Sequence, residues 1–181
     1  MPSPKADLIT HPVRAQILMA IMGRALTTQQ VAALIPDVPR ASLYRHIRLL
    51  VDANILMVVE QIPVRGTLEK VYGIHEGGAT LDRTDIADAS PADHLRYFTT
   101  LLESLAAAFR GYLGHPASNP NAGEAMYNAQ PLYLSDAEYE ELMAGMRALI
   151  AQATTRPESP SRRRHILSII AIPDLPDPPV G

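Results

Sequence analysis

The stretch Pro39–Val51, PRASLYRHIRLLV, reads as a helix whose faces differ in chemistry. At the angular step of an α-helix, Leu43, Ile47 and Leu50 form one narrow apolar stripe, while Arg45 and Arg48 project from the opposite side. Tyr44 lies on one flank, and Ser42 and His46 lie on the other. A helix that buries one stripe and offers Arg, Tyr and Ser outward suits a DNA major groove. Guanidinium forks match the guanine edge, and hydroxyls reach bases or phosphates. An ordinary solvated surface helix can also carry two arginines, so the flanking segments have to decide.

Upstream, residues 1–7 read as a loose polar arm. A helical pattern starts at Leu8, with Val13, Ile17, Ala20 and Ile21 at three- and four-residue spacing, Pro12 in a tolerable first-turn position and Gly23 at the end. Thr27 and Gln30 have capping-box spacing and open a second, shorter helix to about Ile35. Pro36-Asp37-Val38-Pro39 breaks the chain before the arginine-bearing helix, which Asp52-Ala53-Asn54 closes, Asn54 as a left-handed cap. Two short helices around a tight turn, the second carrying outward cations, follow helix-turn-helix order. Ile55 to Val64 is apolar and β-branched, Arg65-Gly66-Thr67 turns, and Leu68 to Ile74 returns with Leu68, Lys70, Tyr72 and Ile74 on one face. That hairpin is a wing, with Arg65 and Lys70 near its tip, where cations meet phosphates or a minor groove. The candidate DNA contacts are Arg40, Ser42, Tyr44, Arg45, His46 and Arg48 of the helix and Arg65, Thr67 and Lys70 of the wing. For His46, beside the apolar stripe, packing and phosphate contact both stand as readings.

Residues 8–75 resemble the winged helix-turn-helix domain of ArsR-like bacterial transcriptional regulators. The residues that carry the likeness are HPVRAQIL at 11–18, TTQQVAALI at 27–35, SLYRHIRLLVDANIL at 42–56 and the VVEQIPVRGTLEKVYGI wing at 58–74. Ser42, Leu43, Tyr44, Arg45, His46, Ile47 and Leu50 match that family's helix pattern in order. Metal-sensing members use cysteine thiolates; this chain has no cysteine, so that route is not carried over. The absence also removes disulfides and thiol redox sensing.

Residues 76–90 read as a polar linker. Ser90 caps and Pro91 starts a long helix in which Leu95, Phe98, Leu102, Leu105, Phe109 and Tyr112 recur at 3,4,3,4,3 spacing, a heptad-like seam. The seam fits either a dimer interface or packing within one subunit. Beyond a loop at 114–123, Ala125 to Leu134 holds a candidate edge strand, Ser135 and Glu138 cap a second amphipathic helix, and His165 to Ile172 reads as a short strand. The tail, 174–181, is expected to be disordered. The strand, capped helix LYLSDAEYEEL and final strand also resemble, more loosely, the C-terminal part of a subset of these regulators, which supplies dimerisation and sometimes a ligand pocket.

The fold class expected is mainly α with small β: a winged helix-turn-helix domain over 8–76 and a C-terminal α+β dimerisation and effector region over 90–173. A length of 181 residues allows one large or two small domains. Net charge is -3, but residues 1–80 carry 8 Lys+Arg against 6 Asp+Glu, leaving 8 against 13 for the rest. No long apolar run or leader is visible, so a soluble cytoplasmic protein without membrane attachment is expected. The six histidines form no close pair, and no HExxH, phosphate loop or GxSxG occurs. Neither enzyme chemistry, a metal nor a cofactor is expected. The function expected is a homodimeric repressor on double-stranded DNA, with a small-molecule effector bound near 127–134 and 166–172. The alternatives are a ligand-independent DNA binder and a winged helix that docks proteins. The outward arginines weigh against the last, whose corresponding face is usually apolar.

Overall fold

The computed structural model describes residues 3–64, 66–122, 125–156 and 158–174. Arg65, and the tail from 175 onward, lie outside the described residues. Two compact units divide at Tyr127/Asn128.

The first unit opens with α1, Pro4–Ile9, and α2, Pro12–Ile21. The expected loose arm and single helix from Leu8 are thereby corrected. Ser3 caps α1 through the Ala6 N–H at 3.1 Å, and Ala6 and Ile9 are buried. A helix of six residues has no stability of its own, so packing and a cap hold it. α3, Thr28–Leu34, carries the expected capping box: the Gln30 N–H donates to Thr27 Oγ1 and the Thr27 N–H to Gln30 Oε1. α4, Arg40–Asp52, has Pro39 at its N-cap, and Asn54 follows its end at φ 56 in the left-handed region. The Ile55 N–H reaches back to the Leu50 carbonyl at 2.9 Å and closes the helix end.

Strand β1, Leu26–Thr27, β2, Leu56–Val64, and β3, Thr67–Ile74, make an antiparallel sheet in the order β1-β3-β2. The register runs from Leu56 opposite Ile74 to Val64 opposite Thr67, with an irregularity between Val58 and Glu60. Gly66, at φ +84, supplies the turn conformation that an L side chain resists. The core lies between α2, α3, α4 and β2, where Ile17, Ile21, Val31, Leu43, Ile47, Leu50 and Leu56 are fully buried. The stripe read from the α4 sequence is therefore its buried face.

The expected linker contains a short helix, α5, Arg83–Ile86, with its own Asp82/Asp85 capping box. The Asp85 carboxylate meets Lys5 at 3.2 Å and Ser3 Oγ at 3.1 Å, tying this segment to α1. α6, Pro91–Leu113, packs on α2. Its buried residues are Thr100 and Ser104, not the apolar seam. The Thr100 hydroxyl donates to the Thr10 carbonyl at 3.0 Å, and the Arg96 guanidinium reaches Asp7 at 2.8 Å and Thr10 Oγ1 at 3.3 Å. The first unit thus extends past the expected domain end at 76 to include α6.

In the second unit, α7, Asp136–Thr154, starts at the expected Ser135/Glu138 capping box. The strands expected at 125–134 and 165–172 are not formed; both stretches are irregular and largely exposed. A strand needs a neighbour for its backbone N–H and C=O groups, and apolar composition alone does not supply one. Among the described residues the C-terminal part is helical with irregular apolar segments, and the chain as a whole is mainly α with one small three-stranded sheet, as expected. None of the described helices is long and apolar enough to cross a membrane.

Candidate nucleic-acid interface

Burial of Leu43, Ile47 and Leu50 fixes the rotation of α4 and so decides what the helix offers to solvent. Arg40, Tyr44, Arg45 and Arg48 are exposed, Tyr44 to 60%, and Ser42 is half-buried on the flank. Arg48 shares a loose ion pair with Asp52 at 3.7 Å, with both side chains largely in water. Such a pair contributes little to stability and leaves the guanidinium available to a phosphate. Arg45 forms no ion pair among those of the described residues, which suits a side chain reserved for an external acceptor.

A shallow cleft of about 150 Å³ separates α3, α4 and β3. Thr28, Gln29, Ala32, Arg40, Leu43, Tyr44 and Glu69 line it. Gln29 was not singled out from sequence; only its place near the start of α3, in the first turn before the recognition helix, could have suggested it. Glu69 places a carboxylate on the same rim. On the wing, Thr67 and Lys70 are exposed, and the Thr67 hydroxyl donates to the Val64 carbonyl at 2.9 Å, fastening the hairpin end. Arg65 lies outside the described residues.

His46 is placed differently from its neighbours. It is 4% exposed, and its ring lies against that of His11, with centroids 4.7 Å apart and planes tilted by 42°. Of the two roles open to it in the sequence, packing is the one this position fits. It is not part of the exposed face as it stands, which corrects its grouping with the outward residues. His11 caps α2: its Nδ1 accepts the Val13 N–H at 3.2 Å. Burial, then the Arg14 guanidinium, holds His11 below the ordinary imidazole pKa, and burial, then His11 and Arg45, does the same for His46.

The seam residues of α6 are only partly covered. Leu95 is 65% exposed, Leu102 and Phe109 are exposed, and Phe98, Leu105 and Tyr112 are half-buried. Within this group, the Phe109 and Tyr112 rings stack at 5.8 Å, and Tyr127 meets Phe109 edge-on at 6.0 Å.

Residues 9–59 match the family model of a helix-turn-helix domain. No curated protein matches the chain. The match spans α2 through the first half of β2, the segment that holds every exposed α4 residue described above. The N-terminal unit thus contains a DNA-binding helix-turn-helix domain of the kind that serves transcription regulation.

Proposed function

We propose that the chain is a homodimeric transcriptional repressor of the ArsR-like type, which binds an inverted-repeat operator and performs no catalysis. The observation that carries this reading is the division of α4: one stripe is locked in the core while Arg40, Tyr44, Arg45 and Arg48 stand in solvent. Arg45 reads a base edge, and Arg40, Arg48, Thr67 and Lys70 hold phosphates. Dimerisation runs through α6. Its apolar seam is left partly open, with Leu95, Leu102 and Phe109 exposed, while Thr100 and Ser104 are buried where α6 packs on α2. A patch of this length needs a partner, and a second copy supplies a self-complementary one. Release from DNA is assigned to a small-molecule effector in the C-terminal half; the support is the exposed Leu132, Tyr133 and Leu134, side chains suited to closing around an apolar ligand.

The test is selection of genomic fragments by the purified chain, followed by binding to a selected duplex and to its scrambled version. Enrichment of an inverted repeat, with the specific duplex held at least ~10³-fold more tightly, supports the reading. Equal binding to both duplexes overturns it. Transcription from the selected promoter, with and without the chain, then gives the sign of regulation.

A further inference from the structure

We propose that the His11–His46 contact is a proton-sensitive latch that holds the recognition helix in its DNA-reading position and opens under mild acid. This inference rests on the DNA-reading role of α4 given above. The geometry lies in the two Nδ1 atoms. His11 Nδ1 accepts the Val13 N–H, so the neutral ring carries its proton on Nε2, and a second proton would convert the cap's acceptor into a donor facing a donor. His46 Nδ1 is buried and has no hydrogen-bond partner among the described residues, so a proton placed there meets no acceptor among them. Both rings are thus built to stay neutral, and they lie tilted against each other between the start of α2 and the middle of α4.

The charged surroundings push the same way. α2 presents Arg14 and α4 presents Arg45, and both oppose a proton on either ring. The α3 segment TQQVAAL has no charged residue, and the charge on β2, Glu60, is exposed. α1 brings Asp7, which the Arg96 guanidinium of α6 holds at 2.8 Å. Among the described residues no carboxylate compensates the pair. Burial holds both imidazoles below their ordinary value, so the closed contact is complete above the ordinary histidine range and is lost as pH falls below it. Opening takes up two protons, one at each Nδ1. It frees α4 from α2 at the residue next to Arg45, and it also removes the side-chain cap of α2. Thr10, the neighbour of His11, is gripped by Thr100 and Arg96, so α6 is joined to the same point.

The experiment uses the full chain on its selected duplex at constant ionic strength, with fluorescence anisotropy followed from about pH 7.5 to about 5.5. The wild type is expected to lose affinity towards acid by up to about tenfold per pH unit for each proton taken up. Acid adds positive charge, which by itself tightens binding to a polyanion, so the loss has the opposite sign to the general electrostatic effect. His11→Asn keeps a capping oxygen without a titrating ring, and His46→Phe keeps an aromatic ring; each should remove part of the slope, and the pair together should flatten it. Circular dichroism should show helix content unchanged across the range. An NMR titration of the two imidazoles reads the latch whether or not DNA is bound, and both should titrate below a free histidine. The latch is overturned by constant or rising wild-type affinity in acid, by parallel slopes in wild type and variants, by helix loss in step with release, or by ordinary titration of both rings. Low-titrating rings in a chain that binds no duplex at neutral pH would remove the DNA reading and, with it, the switch, while leaving the proton-excluding contact in place.

Discussion

Arg45 and Leu43 sit two residues apart on α4, one in water and one wholly buried, and replacing each should show in a different measurement. Arg45→Ala should weaken binding to the specific duplex by about 1–3 kcal/mol and relax preference at one position per half-site. Lys70→Ala should weaken all sequences alike and lower the slope of log affinity against log salt by about one unit. Paired salt titrations on specific and scrambled duplexes separate the two; equal loss on both for Arg45→Ala removes its base-reading role. Leu43→Ala should instead cost about 2–5 kcal/mol of folding stability in a denaturant melt, because a cavity opens at the centre of the core. The outward position of Arg45 and the inward one of Leu43 were both legible from helical periodicity. His46 was only half legible: its angle put it beside the stripe, but its partner His11 is 35 residues away in sequence. No local pattern connects residues so far apart.

Among the elements, those with a local signature were readable and those held by tertiary contact were not. The Thr27/Gln30 and Ser135/Glu138 capping boxes, the left-handed Asn54 and the β2–β3 hairpin around Gly66 are written within a few residues of each other, and all are present. α1 was missed because six residues after a proline-bearing start give no periodic signal; its cap and the burial of Ala6 hold it. The runs at 125–134 and 165–172 have the composition of strands, but composition does not provide the adjacent strand. For α6 the sequence left two fates open for the seam, and its exposure carries the dimer proposal. Phe98→Glu with Leu105→Glu would place charges in that interface, and sedimentation should then show a folded monomer. A double variant that remains a folded dimer would assign the interface elsewhere. Thr27→Ala should cost about 1 kcal/mol in the same denaturant melt, through loss of the α3 cap.

For the whole molecule, a net charge of -3 means that attraction to DNA depends on where the cations stand rather than on their total. A symmetric pair of α4 helices should read half-sites one turn of duplex apart, about 34–36 Å, so inserting half a turn between the half-sites should abolish tight binding in a mobility-shift assay. Helix α6 has an unusual allocation of side chains: its buried residues are two small hydroxyls, while Leu95, Leu102 and Phe109 stand exposed. Under the pairing proposed for α6, folding and association become parts of one equilibrium, governed by mass action. The melting temperature should therefore climb with protein concentration, and a dilution series in a scanning calorimeter would show it. A chain of this kind is sturdy when abundant and fragile when scarce. After synthesis stops, each loss of a copy of the proposed dimer would make the survivors easier to unfold and degrade, so the proposed repression would end more abruptly than simple dilution by growth would allow.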